Sequence, residues 1–427
     1  MSKPSQDITS IDRRRVLTAA ASAAVTGSLI GAPALVRAAP KQLKIGYVTP
    51  QTGPLAGFGE SDKFILEGIR KAIGAGILIG GQTVPVEIIV RDTQSSANRA
   101  SEVTADLILK QKVDLILASS TPDVTNPASD QCELNGVPCI STICPWQAWM
   151  FPRNGKPEKG FNWTFHFFWG LDDIAGVFMN MWSGADTNKN VGGLYPRDAD
   201  GDAWNAALPG MLKARGFNSV DPGRYPNLSA DFSALIATLK KEQAEIITGA
   251  PLPPDFKTLW TQARAQGYRP KVATVAKALL FPSSVEALGD LGEGLSSEVW
   301  WSPAHPFKSS LNAMSAGDLA GSYTTATGKQ WTQPIGYVHA LFEVAVDVLK
   351  RSRDAGSKAS IRDAIKETNL NTIVGNIDFA GSKIKNVALT PLVAGQWVKG
   401  TKFRYDIVIV ENSLAKEIPV QAKLRLL

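Results

Sequence analysis

From Leu43 onward the chain alternates short apolar blocks with amphipathic stretches. Leu43 to Thr49 and Val84 to Val90 have the length of buried strands. Between them lie a glycine-rich loop, Pro50 to Gly59, and a helical pattern. In that helix Phe64, Ile65, Gly68, Ile69, Ala72 and Ile73 share one face, Lys63, Glu67, Arg70 and Lys71 the other, and Gly74 ends it. Strand, loop, helix, strand is a βαβ unit, whose crossover is right-handed and whose strands run parallel. The loop then sits at the carboxyl edge of the sheet, where small ligands bind in such folds.

The rhythm continues. Ala100, Val103 and Leu107 mark a helix, Asp114 to Ala118 a third strand that stops at Ser119-Ser120-Thr121-Pro122, and Val137 to Ser141 a fourth with its edge loop at Thr142 to Trp149. Residues 150–165, with Pro152, Gly155, Pro157 and Gly160, interrupt it. From Val191 the alternation restarts: Val191 to Tyr195, a helix from about Trp204 to Arg215, Val220 to Tyr225, a helix through Phe232 and Leu239, Glu245 to Thr248, a helix that Asp255 could cap, and Val272 to Val275. The expected fold is α/β, two doubly wound parallel-sheet lobes. Glu298 to Pro303 reads as an extended link back between lobes, and Ile373 to Phe379 and Pro391 to Val398 as strands near a third crossing. Three crossover strands make a hinge about a cleft that closes on a ligand. The boundaries follow: a leader over 1–38, a first lobe from 41–162 plus 302–372, and a second from 163–301 plus 373–427.

The leader changes the reading of charge. The 427 residues carry a formal charge of +6 and a pI near 9.0. Five basic and two acidic residues before position 39 account for +3 of it. The remaining +3, spread over a long chain, points to no nucleic-acid partner. Asp12-Arg13-Arg14-Arg15-Val16-Leu17 precedes an uncharged Ala-rich run to Val36, then Val36-Arg37-Ala38. This resembles a twin-arginine export signal cleaved near Ala38, and its Ala, Gly, Ser and Thr content makes it a poor bilayer span. The mature protein is then expected in the periplasm. Cys132, Cys139 and Cys144 fall in one stretch; an oxidising compartment permits a Cys132–Cys139 bridge, with free buried thiols the alternative.

Candidate chemistry is sparse. His166, His305 and His339 are far apart, and the chain has no GxSxG, HExxH, CxxC or GxxxxGK[ST]. No enzyme activity, cofactor or metal is expected. Gly57-Phe58-Gly59 and Asp92 imitate part of a dinucleotide fingerprint, which keeps an exported oxidoreductase open as an alternative. Against it, Asp62 stands where the third glycine belongs and sets a carboxylate near a pyrophosphate, and the loop is long.

From Leu43 to about Val410 the sequence resembles the solute-binding proteins of ABC importers in the branched-chain amino acid class, with the type I periplasmic binding fold. The resemblance rests on Ile45-Gly46, Thr49-Pro50, Gly53-Pro54-Leu55-Ala56, Asp92-Thr93-Gln94, Ser119-Ser120-Thr121, Tyr337 to Ala345, Thr372 to Gly375 and Phe379 to Gly381. It implies that Ser119, Ser120 and Thr121, with Thr142 to Cys144, hold a solute's carboxylate and ammonium, and that Leu55 to Gly59, including Gly57 and Phe58, wall the pocket. The alternative for Ser119 to Thr121 is a cap on the helix before Val124, but their place at the sheet's binding edge favours ligand contact. At the second-lobe edge this chain departs from relatives with Tyr195-Pro196-Arg197-Asp198-Ala199-Asp200. Asp198, Asp200 or Asp255, near Pro251, could meet an ammonium or could be turn and cap residues, and Arg197 could pair with a carboxylate. Trp146, Trp149, Trp169, Trp204, Trp300 and Trp301 fall at expected loops and crossings, as cleft lining or hinge packing, and favour a hydrophobic or aromatic amino acid or carboxylic acid. The implied partners are a small-molecule solute and an inner-membrane ABC permease, the protein itself a monomer. A sensor of the same fold is the alternative role.

Overall fold

The computed structural model describes Met1, residues 42–354 and residues 356–427. Apart from Met1, the leader expected over residues 1–38 lies outside the described residues. Two sheets form, one per lobe. The first runs in the spatial order Val387–Ala388, Thr164–Phe167, Cys139–Thr142, Leu115–Ser119, Leu43–Thr49, Val86–Asp92, every pairing parallel. The second runs Tyr405–Glu411, Val393–Lys399, Ser296–Val299, Val272–Val275, Ile246–Gly249, Asn190–Leu194, Asn218–Val220. It is parallel except where Val393–Lys399 lies antiparallel to both its neighbours.

In each sheet the strand order reverses next to the lobe's first strand. The chain steps from Leu43–Thr49 to one side and then to Leu115–Ser119 on the other, and likewise from Asn190–Leu194 to Ile246–Gly249 across it. Loops leaving those strands diverge, and a crevice opens between them at the carboxyl edge. That is where the site described below lies.

Three segments pass between lobes, at residues 168–170, 300–315 and 389–392. The helix Pro334–Arg351, apolar on nearly every face, is buried along most of its length and meets all three. The Tyr337 ring stacks on Phe167 and packs edge-on against Phe168 of the first crossing and Trp300 of the second. Its hydroxyl donates to Thr390 Oγ1 of the third at 2.7 Å. Gln333, just ahead of the helix, accepts from Trp300 N at 2.8 Å and donates to Glu298 O at 3.0 Å.

Several sequence-based expectations shift. The first crossing comes after Phe167, not at 162, because Thr164–Phe167 pairs in parallel with Cys139–Thr142. The third comes near 389, not at 372, because Val387–Ala388 joins the far edge of the first sheet, with His166 N donating to Asn386 O at 2.8 Å. Trp204 lies inside the helix Ala199–Ala214 rather than at its start. Trp146 and Trp149 lie in a short helix, Trp146–Met150, and Trp149 stacks on His166 inside the first lobe. Among the described residues no helix is long and apolar enough to cross a membrane. Cys132 and Cys139 are free buried thiols, the alternative to the bridge.

Candidate functional site

Strand ends from both sheets point into one crevice, and four of the turns that leave them use left-handed backbone. Ser120 (φ 126°), Ile143 (φ 71°), Gly249 (φ 148°) and Lys277 (φ 60°) follow or end Leu115–Ser119, Cys139–Thr142, Ile246–Gly249 and Val272–Val275. Such conformations cost side-chain-bearing residues free energy, a β-branched one most, and cluster where function needs a sharp turn. Only glycine serves at Gly249, where a Cβ would lie 2.1 Å from Leu194 O. These turns bound a cavity with about 380 Å³ of empty space, partly open to solvent.

Its walls are largely aromatic. Phe58 comes from the first lobe, Phe168, Trp169 and Trp300 from the crossings, and Trp204 from the second lobe. Phe58 also meets Phe281 of the second lobe edge-on, centroids 5.0 Å apart, so the two lobes touch at the mouth. Three polar side chains in the lining have no hydrogen-bond partner although they are buried: Thr121 Oγ1 (residue 3% exposed), Trp169 Nε1 (3%) and Trp300 Nε1 (1%). Unsatisfied buried donors cost on the order of 1–3 kcal/mol each. A solute that brings acceptors recovers that cost.

A charge cluster closes one side. Lys277 Nζ donates to Asp200 Oδ2 at 2.9 Å and Asp198 Oδ2 at 3.1 Å, all three side chains buried. Burial opposes the ammonium's charge, but the two aspartates outweigh it and hold the lysine above its ordinary pKa. Asp198 resists burial through Lys277 and falls below the usual carboxylate value, whereas burial keeps Asp200 raised. Glu298 accepts from Ser297 Oγ at 2.7 Å, and burial pushes its carboxyl up to about 8. Asp123, in the first turn of the first-lobe helix Pro122–Asn135, faces this cluster from across the cleft. Burial and then the charges of Asp200 and Asp198 raise it to about 6.

Of the residues singled out from sequence, Phe58, Thr121, Ile143, Cys144, Trp169, Asp200, Trp204 and Trp300 line this cavity. Thr121 stands at the N-cap position of Pro122–Asn135 but makes no side-chain cap bond. Asp198 does cap its helix, accepting from Gly201 N at 2.8 Å, and also holds Lys277. The others are not among the cavity's lining residues. Ser119 Oγ is bonded to Tyr47 OH, Thr142 Oγ1 donates to Phe167 O, and Ser120 is buried beside them. Leu55, Tyr195, Pro251 and Asp255 are buried in their lobes, and Trp146 packs on Phe151. Arg197 is exposed.

The glycines that imitated a phosphate cradle serve packing. A Cβ on Gly57 would lie 3.2 Å from the Phe281 ring, and one on Gly59 2.4 Å from Pro50 O. Asp92 braces the loop instead of meeting a ribose, accepting from Gln51 N, Thr52 N and Oγ1, and Gln94 N. Asp62 points inward, accepting from Tyr47 OH and Thr49 Oγ1.

Sequence reasoning passed over Lys277, Glu298 and Asp123. The signal was present for the first two: Lys277 follows a recognised strand, Val272 to Val275, at the same edge as the other loops, and Glu298 lies two residues before Trp300. Among the described residues no group of histidine, cysteine and carboxylate side chains is placed to hold a metal ion.

A family model described as periplasmic binding protein matches residues 42–402. The chain is 22% identical over 258 residues to a Leu/Ile/Val-binding protein of Citrobacter freundii, covering 58% of this chain and 66% of that one. It is 24% identical over 274 residues to Leu/Ile/Val-binding protein homolog 3 of Brucella melitensis, covering 62% and 64%. The match thus spans slightly less than two thirds of those relatives' length. Among solved structures, a leucine-binding protein of Thermotoga maritima superposes with a TM-score of 0.72 at 19% identity, covering 87% of this chain and 99% of that one. A solute-binding protein of Rhodopseudomonas palustris in complex with 3,4-dihydroxybenzoic acid gives 0.71 at 16%, covering 88% and 99%. A family match over residues 42–402 places this chain in the periplasmic binding protein family, and its two parallel-sheet lobes joined by three crossings have the type I fold of the solved structures.

Proposed function

We propose that this protein is a periplasmic receptor that closes its two lobes on a small hydrophobic or aromatic amino acid or carboxylic acid and delivers it to an ABC permease in the inner membrane. The observation that carries the reading is the interlobe cavity: aromatic walls that suit an apolar body, and three buried polar groups without partners that suit its polar end. Names among the relatives agree with either solute class, since one structure of this fold holds isoleucine and another 3,4-dihydroxybenzoic acid. Closure needs no partner copy, because both walls come from one chain, and the receptor is read as a monomer.

Thermal unfolding of the mature chain with a panel of hydrophobic amino acids and aromatic carboxylates tests the proposal. The midpoint is expected to rise with at least one of them, since a solute that binds only the folded state stabilises it by mass action. No shift with any of the panel, together with a shift for sugars or nucleotides, would sink it.

A further inference from the structure

We propose that residues 328–333, a stretch of the first lobe, form a clasp that seats on the second lobe when the cleft shuts and parts from it when the cleft opens. The proposal takes from the receptor reading only that the lobes move, and nothing about the solute. The helix Ala316–Thr327 ahead of this stretch belongs to the first lobe, where Tyr323 meets Phe64 of the helix Asp62–Ile73 edge-on at 5.3 Å. After Gly328 the chain crosses the seam. Gln330 Nε2 donates to Tyr405 O at 3.0 Å and to Asp406 Oδ1 at 3.1 Å, both on the last strand of the second sheet. Trp331 packs against both large hydrophobic clusters and sits edge-on to Trp301 of the second crossing. These contacts add a non-covalent link to the three covalent crossings.

Where the clasp sits decides what it does. Val393 pairs with Val299 at the crossing end of the second sheet, and Lys399, six residues further along, pairs with Tyr405. At about 3.3 Å per residue, Gln330 grips the second lobe roughly 20 Å from the crossings. A swing about those crossings carries such a point beyond the roughly 3 Å reach of a hydrogen bond. Gln333, bonded to Trp300 N and Glu298 O beside the second crossing, stays near the axis. The clasp also lies on the mouth side of the seam. Lys329 Nζ pairs with Glu60 at 2.6 Å, directly after the short helix Ala56–Gly59 whose Phe58 touches Phe281. Glu60 and Lys329 face Pro282, Glu286 and Phe403 of the second lobe across a shared groove. Mouth loop and clasp form one rim and engage together. The seating is reversible in character, because Gln330 Oε1 and Thr332 Oγ1 are buried in it with no hydrogen-bond partner. Shutting the seam strips water from both oxygens without replacing it, and opening returns it.

Alkylation of the native cysteines by N-ethylmaleimide, located by peptide mass spectrometry, reads the clasp with no solute present. The sample is full-length mature chain freed of carried solute by unfolding and refolding. Cys144 lines the cleft, so parting the lobes exposes it, whereas Cys132 and Cys139 lie in the first-lobe core and react only on unfolding. Gln330→Met keeps the side chain's length and loses both bonds; Gln330→Glu sets a carboxylate against Asp406 and the Tyr405 carbonyl. The first is expected to raise the Cys144 rate threefold or more and the second tenfold or more, with Cys132 and Cys139 unchanged. Cys144 rates equal to the parent's in both variants overturn the clasp and leave the receptor reading standing. Faster reaction of all three cysteines together overturns it as well, since Gln330 then serves the fold and not the seam. No reaction at Cys144 in parent or variants, while the denatured chain reacts fully, means that the cleft does not open and overturns both.

Discussion

Lys277 takes a left-handed backbone conformation to bring its ammonium between Asp198 and Asp200, and the three side chains are all but excluded from solvent. A buried pair of this kind stabilises little compared with an apolar replacement, but removing one partner strands the others. Lys277→Met is therefore expected to lower stability by about 3–5 kcal/mol, measured by urea unfolding. Adding Asp198→Asn and Asp200→Asn should return much of the loss, and a loss under about 1 kcal/mol for the single variant would contradict the pairing. Legibility at this scale was uneven. Asp200 and Thr121 stood out because loop carboxylates and hydroxyls at a sheet edge are chemically conspicuous. Lys277 did not, because a lone lysine after a strand looks like any surface lysine until the fold buries it.

At the scale of elements, the strands and helices were legible because each buried apolar block has the length and period of its element. The crossings were harder to place. Val387–Ala388 is a two-residue strand with no periodicity to detect, and its partner Thr164–Phe167 follows a loop rich in proline and glycine. The short helix Ala56–Gly59 at the mouth imitates a phosphate loop in sequence and is expected there as a pocket wall, but a sequence cannot show that Gly57 abuts a ring from the other lobe. That contact yields a prediction. Gly57→Val places branched carbons where the Phe281 ring sits. Solute affinity should fall tenfold or more, chiefly through faster dissociation in stopped-flow experiments, while the apo unfolding midpoint moves by only a few degrees. An unchanged dissociation rate would mean that the mouth does not close at this point.

For the whole molecule, pH acts through groups that folding buries on both sides of neutrality. Burial holds His166 and His305 down at about 3 and His339 at about 4, so their contribution to stability is present above pH 6.5 and is lost as pH falls toward 3. Asp62 has the opposite sign. Burial pushes it to about 7 against the hydrogen bonds from Thr49 and Tyr47. The folded state keeps a proton that the unfolded chain releases near pH 4, so this stability is complete below pH 4 and lost as pH rises through 7. Asp62→Asn removes that slope. Relative to the parent, the variant should gain on the order of 2–4 kcal/mol between pH 4 and pH 7.5 in urea unfolding series. A difference that stays constant with pH would show that Asp62 is ionised throughout.

The three crossings also set a timetable for biosynthesis. Neither lobe is a continuous piece of chain. The first sheet gains its outer strand only when Asn386 reaches Thr164, 222 residues earlier, and the second gains its antiparallel edge only when Gln396 reaches Gly294, 102 residues earlier. At ribosomal speeds of roughly 5–20 residues per second, the exposed margin of the first sheet waits on the order of ten to forty seconds for its cover. During that interval unpaired strand edges are open to neighbouring chains, and nascent protein at this stage depends on chaperones more than a contiguous two-domain protein of the same size would.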